Sequence, residues 1–95
     1  MRVSASEQVQ QWLAALPPDA KRRVRLALRR LASRGQGEVL PLEAELEGFY
    51  RLRVGGYRIV YSHHTGPMIR LEYADLREFV YERFLRMLKE GSDES

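Results

Sequence analysis

The chain has 95 residues, of which 44% are hydrophobic and 31% charged, with no cysteine and a formal net charge of +3. This composition is typical of one soluble globular domain, and it excludes a disulfide framework and a thiolate metal site. No apolar run reaches the length of a membrane span, and the histidines are only an adjacent pair, His63 and His64. We therefore expect a cytoplasmic protein that contacts no membrane and uses no metal or other cofactor.

The first 35 residues predict a short edge strand and two helices. The strand is the segment MRV, and the segment SEQVQQWLAAL that follows has apolar residues at helical spacing, with Ser6 placed as N-cap. The prolines at 17–18 end this helix and begin the next, because proline is tolerated in a first helical turn. The second helix, in the segment DAKRRVRLALRRLASRG, should end with Gly35 as its C′ residue. The two helices are expected to form a hairpin.

The next 60 residues predict a connector, three strands and a helix. The segment QGEVLPLEAELEG predicts an irregular connector, because Pro41 is unsuited to a central strand. The runs FYRLRV and YRIVYS flank a Gly-Gly pair, which predicts a β-hairpin with a two-residue turn, and MIRLEY alternates as a third strand. The segment ADLREFVYERFLRMLKEG predicts a final helix, with Asp75 and Glu78 spaced as a capping box.

The predicted fold class is α+β, in the order β-α-α-β-β-β-α. It has a small, antiparallel-rich sheet of three or four strands, an N-terminal helical hairpin and a C-terminal helix. We expect the helices to lie on one face of the sheet. Residues 1–90 should form a single domain, and residues 91–95 a polar tail.

The hairpin turn fixes which side chains share a face of the sheet. Strand side chains alternate between faces, so Arg51, Arg53 and Arg58 should lie together, with Arg53 directly opposite Arg58. Like charges that face each other across two strands are destabilising. Two interpretations remain open: a solvated face neutralised by Glu72, Glu45 or Glu47, or a site for phosphate or a partner's carboxylate.

The last predicted helix contributes two further candidates. Arg77 and Tyr81 are four residues apart and share a helical face. A cation in a first helical turn is disfavoured by the helix dipole, which hints that Arg77 has a use. Tyr81 can equally pack with its hydroxyl at the rim of the core.

The segment LEGFYRLRVGGYRIVY, followed by a short strand and LREFVY, resembles the RelE/ParE toxin superfamily of bacterial type II toxin–antitoxin systems. The resemblance extends over residues 1–87 and includes the helical hairpin. Its RelE-like members are metal-independent endoribonucleases that enter the ribosomal A site, cut mRNA there and repress translation.

The resemblance implies a role for each candidate residue. It places Arg58 and Arg77, with Tyr81, in the catalytic set, where the arginines stabilise the reacting phosphate and Tyr81 helps proton transfer or base stacking. Arg51 and Arg53 match strand residues that bind RNA. The chain departs from the family pattern at Leu76, where many members have histidine, and at Asp75, which brings a negative charge to the site.

These departures leave alternatives open. The chain could be a ParE-like inhibitor of DNA gyrase without nuclease activity, or an inactive member that only binds its antitoxin. The resemblance implies a cognate antitoxin protein as partner in every case, and mRNA on the ribosome in the ribonuclease case.

Overall fold

The computed structural model describes residues 1–93. Strand β1 (Arg2–Ala5) leads into helix α1 (Glu7–Ala15) and helix α2 (Pro18–Arg34). The Ser6 side chain accepts a hydrogen bond from the backbone N–H of Val9, and Gly35 ends α2 in the left-handed conformation at φ 62°. The strand, the helical hairpin and both capping residues confirm the sequence prediction.

The rest of the described chain forms four strands and a helix. They are β2 (Glu38–Pro41), β3 (Tyr50–Val54), β4 (Tyr57–His64), β5 (Met68–Leu76) and α3 (Val80–Asp93), with a 3-10 turn at Ala44–Leu46 before β3. The strands form one sheet in the order β1-β5-β4-β3-β2. β1 pairs parallel with β5 and the remaining pairs are antiparallel. The predicted α+β class and element order are confirmed.

The fifth strand, β2, lies in the segment that we predicted to be an irregular connector. It forms the sheet edge beside β3, with Pro41 as its last residue. Proline is tolerated at an edge because no neighbouring strand needs its missing N–H. The prediction correctly excluded a central strand there, and it was wrong to exclude a strand altogether.

The capping box predicted at Asp75 and Glu78 is wrong. β5 continues to Leu76, and α3 begins only at Val80. Asp75 is instead a strand residue that pairs with Arg58 of β4. At the other end α3 runs through Asp93, and the last two residues of the predicted tail lie outside the described chain.

The helices cover both faces of the sheet, which corrects the expectation that all three lie on one. The hairpin face, covered by α1 and α2, is centred on residues such as Val9, Val24, Leu52 and Ile59. The opposite face, which we call the α3 face, has a smaller core in which Phe84 and Val80 of α3 pack on Val60 and Leu46. Since side chains alternate along β4, Arg58 lies on the same face as Val60.

A β-bulge adds to this two-sided core. Val60 pairs with Tyr73, whereas Tyr61 pairs with Leu71, so Glu72 is the extra residue of β5. The bulge turns Tyr73 to the α3 face, where its ring lies 5.9 Å from that of Phe84. Without the bulge, strict alternation from Leu71 would place Tyr73 on the hairpin face. None of the helices described in residues 1–93 is long and apolar enough to cross a bilayer.

Candidate phosphate-binding site

Four charged residues face one another in a line across four strands. Glu38 of β2 is opposite Arg53 of β3, Arg53 is opposite Arg58 of β4, and Arg58 is opposite Asp75 of β5. We call this line the charged row. The two-residue turn at Gly55 and Gly56 sets its central pair, as predicted, and the order of charges is negative, positive, positive, negative.

Arg58 is the buried member of the row, with 8% of its surface exposed. One terminal nitrogen of its guanidinium donates to the backbone carbonyls of Gly55 and Tyr57, at 2.8 and 2.9 Å. Burial is the largest influence lowering the pKa of Arg58, followed by the positive charges of Arg51 and Arg53. Arginine nevertheless stays protonated in proteins, so the site keeps a desolvated positive charge.

Arg51 supplies an unused donor on the same face. It lies opposite Val60, and one of its terminal nitrogens is buried without a hydrogen-bond partner anywhere in residues 1–93. A buried donor left unsatisfied costs about 1–3 kcal/mol. Within the described chain, neither Arg51 nor Arg58 forms an ion pair. An added anion could therefore use both.

Arg53 is partly neutralised, but by a residue that sequence reasoning did not consider. Its Nε lies 3.4 Å from a carboxylate oxygen of Glu38, and half of the Arg53 side chain is exposed. The carboxylates that we had considered include Glu72, which binds Ser62 and Arg70, and Glu45, which pairs with Lys89. Glu38 escaped notice because the segment around it was taken for a connector.

Arg77 lies in the turn between β5 and α3 and not, as we predicted, in the first turn of the helix on a shared helical face with Tyr81. Its backbone N–H donates to the carbonyl of Gly56 at 3.0 Å, which ties this turn to the β3–β4 turn. Its side chain is well exposed, with Nε 3.6 Å from Glu78, and its charge also lowers the pKa of Arg58. Arg77 thus completes a group of four, which we call the arginine cluster: Arg51, Arg53, Arg58 and Arg77.

Tyr81 lies beside the cluster, in the first turn of α3. It is half-buried and packs against the small core on the α3 face. It influences the pKa of Arg58 in the opposite direction to the arginines, as a nearby acidic group does. Its hydroxyl makes no hydrogen bond to any other residue in the range 1–93, so it is available to a ligand.

Asp75 does not neutralise Arg58, although the two residues face each other. One carboxylate oxygen accepts from Arg83 of α3 at 3.1 Å, and the other from the backbone N–H of Leu76 at 2.8 Å. The guanidinium of Arg83 also lies 4.2 Å from the ring centre of Phe79. Arg83 therefore holds the carboxylate away from the cluster. Eight residues of sequence separate this pair, so no local spacing pattern indicated it.

The two histidines lie away from the arginine cluster. Both are exposed residues at the end of β4, and His64 is six residues, roughly 20 Å of strand, from Arg58. The ring of His63 makes edge contacts with Tyr50 and Tyr61, while His64 is 3.1 Å from the Ser62 hydroxyl.

The archaeal RelE–RelB complex from Pyrococcus horikoshii OT3 contains a chain similar to this one. The two are 30% identical over 80% of this chain and 93% of that one, with a TM-score of 0.64. The chain belongs to the RelE/ParE toxin superfamily. The RelE/ParE toxins are the toxic components of type II toxin–antitoxin systems.

Two further solved structures share the fold of this chain. A chain of the toxin–antitoxin complex RelBE2 from Mycobacterium tuberculosis is 26% identical, over 80% of this chain and 96% of that one, with a TM-score of 0.68. The YoeB/ParE toxin from Agrobacterium tumefaciens shares the fold at 13% identity, over 81% and 99%, with a TM-score of 0.67. No family sequence model matches the chain, and neither does any curated protein sequence.

Proposed function

We propose that this RelE/ParE-superfamily chain is a toxin that cuts mRNA on the ribosome and so represses translation in the cytoplasm. The observation that carries the proposal is Arg58. It is a nearly buried arginine whose facing carboxylate is held by another residue, and three more arginines lie around it. Such a group of fixed cations in a poorly solvated position suits the negative charge that develops on a reacting phosphate.

The reaction needs only groups that the chain and the RNA supply. The 2′-oxygen of a ribose attacks the adjacent phosphorus, the bond from phosphorus to the 5′-oxygen breaks, and the products carry a 2′,3′-cyclic phosphate and a 5′-hydroxyl. Arg58 and Arg77 would stabilise the pentacoordinate phosphorane, while Arg51 and Arg53 would hold the strand.

A proton must leave the 2′-hydroxyl and another must reach the 5′-oxygen. Arginine is unsuited to this work because it stays protonated. Tyr81 is the proposed participant, since its hydroxyl is unpaired within residues 1–93 and the residue is close enough to Arg58 to influence the pKa of that arginine. Glu38 is a second candidate, because its carboxylate is at the rim of the cluster beside Arg53.

The structures that resemble this chain are mostly complexes of a toxin with its antitoxin. We propose a cognate antitoxin for this chain also. Acidic side chains of that partner would fill the arginine cluster, and the outer surface of the α1–α2 hairpin would provide additional docking area. Neutralisation would then be direct competition with RNA phosphate.

One observation favours gyrase inhibition as a second candidate function. Leu76, which stands where many RelE-like members have histidine, is exposed at the end of β5 beside the cluster. The site therefore lacks an imidazole for proton transfer, which a toxin without nuclease activity would not need.

Two assays run in parallel test the proposal and separate the candidates. Primer extension on mRNA in a translating extract should show new 5′ ends with the wild type and none with Arg58→Met. Arg22→Met, which removes a solvent-exposed cation of α2, is the control and should cut like the wild type. Intact mRNA together with inhibited gyrase supercoiling would replace the ribonuclease proposal with the gyrase one.

A further inference from the structure

A second cationic groove lies at the edge of the sheet, between the C-terminal half of α2 and strands β2 and β3. Its volume is about 430 Å³ and it is open to solvent. We call it the edge groove. The groove is lined by polar side chains and by the backbone of one glycine in the α2–β2 connection. These residues are Arg30, Arg34, Gln36, Gly37, Glu38 and Arg53.

The α2 arginines of the edge groove are available to a ligand. Arg30 and Arg34 are one helical turn apart, so their side chains project from the same side of α2. Both are exposed, and neither forms an ion pair with any carboxylate of residues 1–93. Arg22, on the same helix, does pair with a carboxylate, that of Asp19.

Arg53 borders both the edge groove and the arginine cluster. Its side chain lines the groove, and its charge is close enough to Arg58 to lower the pKa of that residue. Arg30 and Arg34 belong to α2, which covers the hairpin face, whereas Arg58 lies on the α3 face. A polyanion that uses both sites must therefore pass around the sheet edge formed by β2, beside Arg53.

We propose that the edge groove binds further phosphates of the same single-stranded RNA whose scissile phosphate lies in the arginine cluster. The inference rests on the proposed ribonuclease function, and it means that the bound RNA extends beyond the scissile phosphate to the edge groove. Arginine suits the role because its planar donors grip phosphate oxygens in pairs. An acidic protein segment fits less well, since the groove offers few apolar anchors of the kind that protein interfaces use, its apolar lining being Ala27 and Leu52.

The connection between α2 and β2 leaves the groove open. A β-carbon at Gly37 would come 2.7 Å from a methyl carbon of Leu52, so a larger residue there would have to push the buried Leu52 side chain aside. The bare backbone of Gly37 lies close against β3 and adds no side chain that would fill the space.

The test measures the salt dependence of RNA binding with 2′-O-methyl oligonucleotides, which lack the attacking hydroxyl. For single strands, the slope of log affinity against log salt changes by about 0.7 for each phosphate contact. Arg30→Gln/Arg34→Gln should therefore reduce the slope for a nine-nucleotide strand by about 1.4. When the salt concentration is raised from 50 to 200 mM, the double variant should therefore lose about sevenfold less affinity than the wild type loses.

The matched control is Arg25→Gln/Arg29→Gln, which removes the same charge at the same spacing from another side of α2. This variant should leave the slope for nine nucleotides nearly unchanged. A trinucleotide, which is too short to span both sites, should bind both double variants like the wild type.

Three results would overturn the inference: equal effects of the two double variants, an equal effect on the trinucleotide, or loss of antitoxin binding with unchanged RNA binding. Arg58→Met separates this failure from that of the proposed function. If the wild type binds RNA through Arg58 but is indifferent to Arg30 and Arg34, only the edge groove is refuted. If the folded wild type binds neither oligonucleotide, both proposals fail.

Discussion

Arg83 should control RNA binding without touching RNA. In the wild type it holds the Asp75 carboxylate at 3.1 Å, although Asp75 faces Arg58 across the sheet. Replacing Arg83 with methionine removes the cation and keeps the length of the side chain. The Asp75 carboxylate, of which only 14% is exposed, then loses its ion-pair partner, and Arg58 is the nearest cation across the ladder.

The size of the effect follows from the strand geometry. Facing Cα atoms in an antiparallel pair are roughly 4.5–5.5 Å apart, so the two side chains can meet. At about 4 Å the attraction is near 4 kcal/mol for an effective dielectric constant of 20, before the costs of desolvation and ordering are subtracted. A net loss of about 1.4 kcal/mol in the free energy of phosphate binding corresponds to a tenfold larger dissociation constant.

Fluorescence anisotropy with a labelled 2′-O-methyl trinucleotide provides the measurement. Arg83→Met should bind about tenfold more weakly than the wild type, and adding Asp75→Asn should restore binding to within about twofold. Arg86→Met is the matched control, because it removes a cation of α3 that pairs with Glu82 instead. Arg83 does not have this role if Arg83→Met binds like the wild type, or if Asp75→Asn fails to rescue it.

Three further outcomes are expected from the fold and the site. Arg51→Met should raise the free energy of unfolding by about 1 kcal/mol, since it removes a buried unpaired donor, and should weaken RNA binding; urea denaturation showing a less stable variant contradicts this. Phe84→Ala should cost about 3–5 kcal/mol, because Phe84 is fully buried at the centre of the α3 face; a midpoint close to that of the wild type would mean that α3 is not docked there. Burial raises the pKa of Tyr61 and the pKa of Tyr73, and Asp75 raises the pKa of Tyr73 further. The contribution of the two neutral phenols to stability is therefore complete below about pH 10, and it is lost as the pH rises through their raised pKa values. Tyr61→Phe should flatten this alkaline loss in denaturation curves taken between pH 8 and 11, and an unchanged curve would refute the assignment to Tyr61.

The register of the arginine hairpin could be predicted from sequence because a two-residue Gly-Gly turn fixes which residues face each other. Arg53 therefore had to lie opposite Arg58, and the alternation of strand side chains put Arg51 on the same face. Arg77 and Tyr81 were also assigned to this region, although their contact with it depends on the turn between β5 and α3.

Interactions between distant segments account for what could not be predicted. The capping-box spacing of Asp75 and Glu78 is a local signal, and pairing of β5 with β4 as far as Leu76 overrides it. The bulge at Glu72 reverses the face of Tyr73, and nothing in the period of the strand indicates it. Docking of α3 on the arginine side of the sheet was likewise missed, and this helix brings Arg83 to Asp75.

The most direct test of the central claim is to observe the arginine side chains during titration with a single phosphodiester. A 2′-O-methyl dinucleotide added to isotopically labelled protein should shift the guanidinium Nε–H resonances of Arg51, Arg53, Arg58 and Arg77 with one shared dissociation constant. The resonances of Arg25 and Arg29, on the other side of the molecule, should stay in place. Shifts at Arg25 and Arg29 with none at Arg58 would contradict the account, because the phosphate would then bind elsewhere.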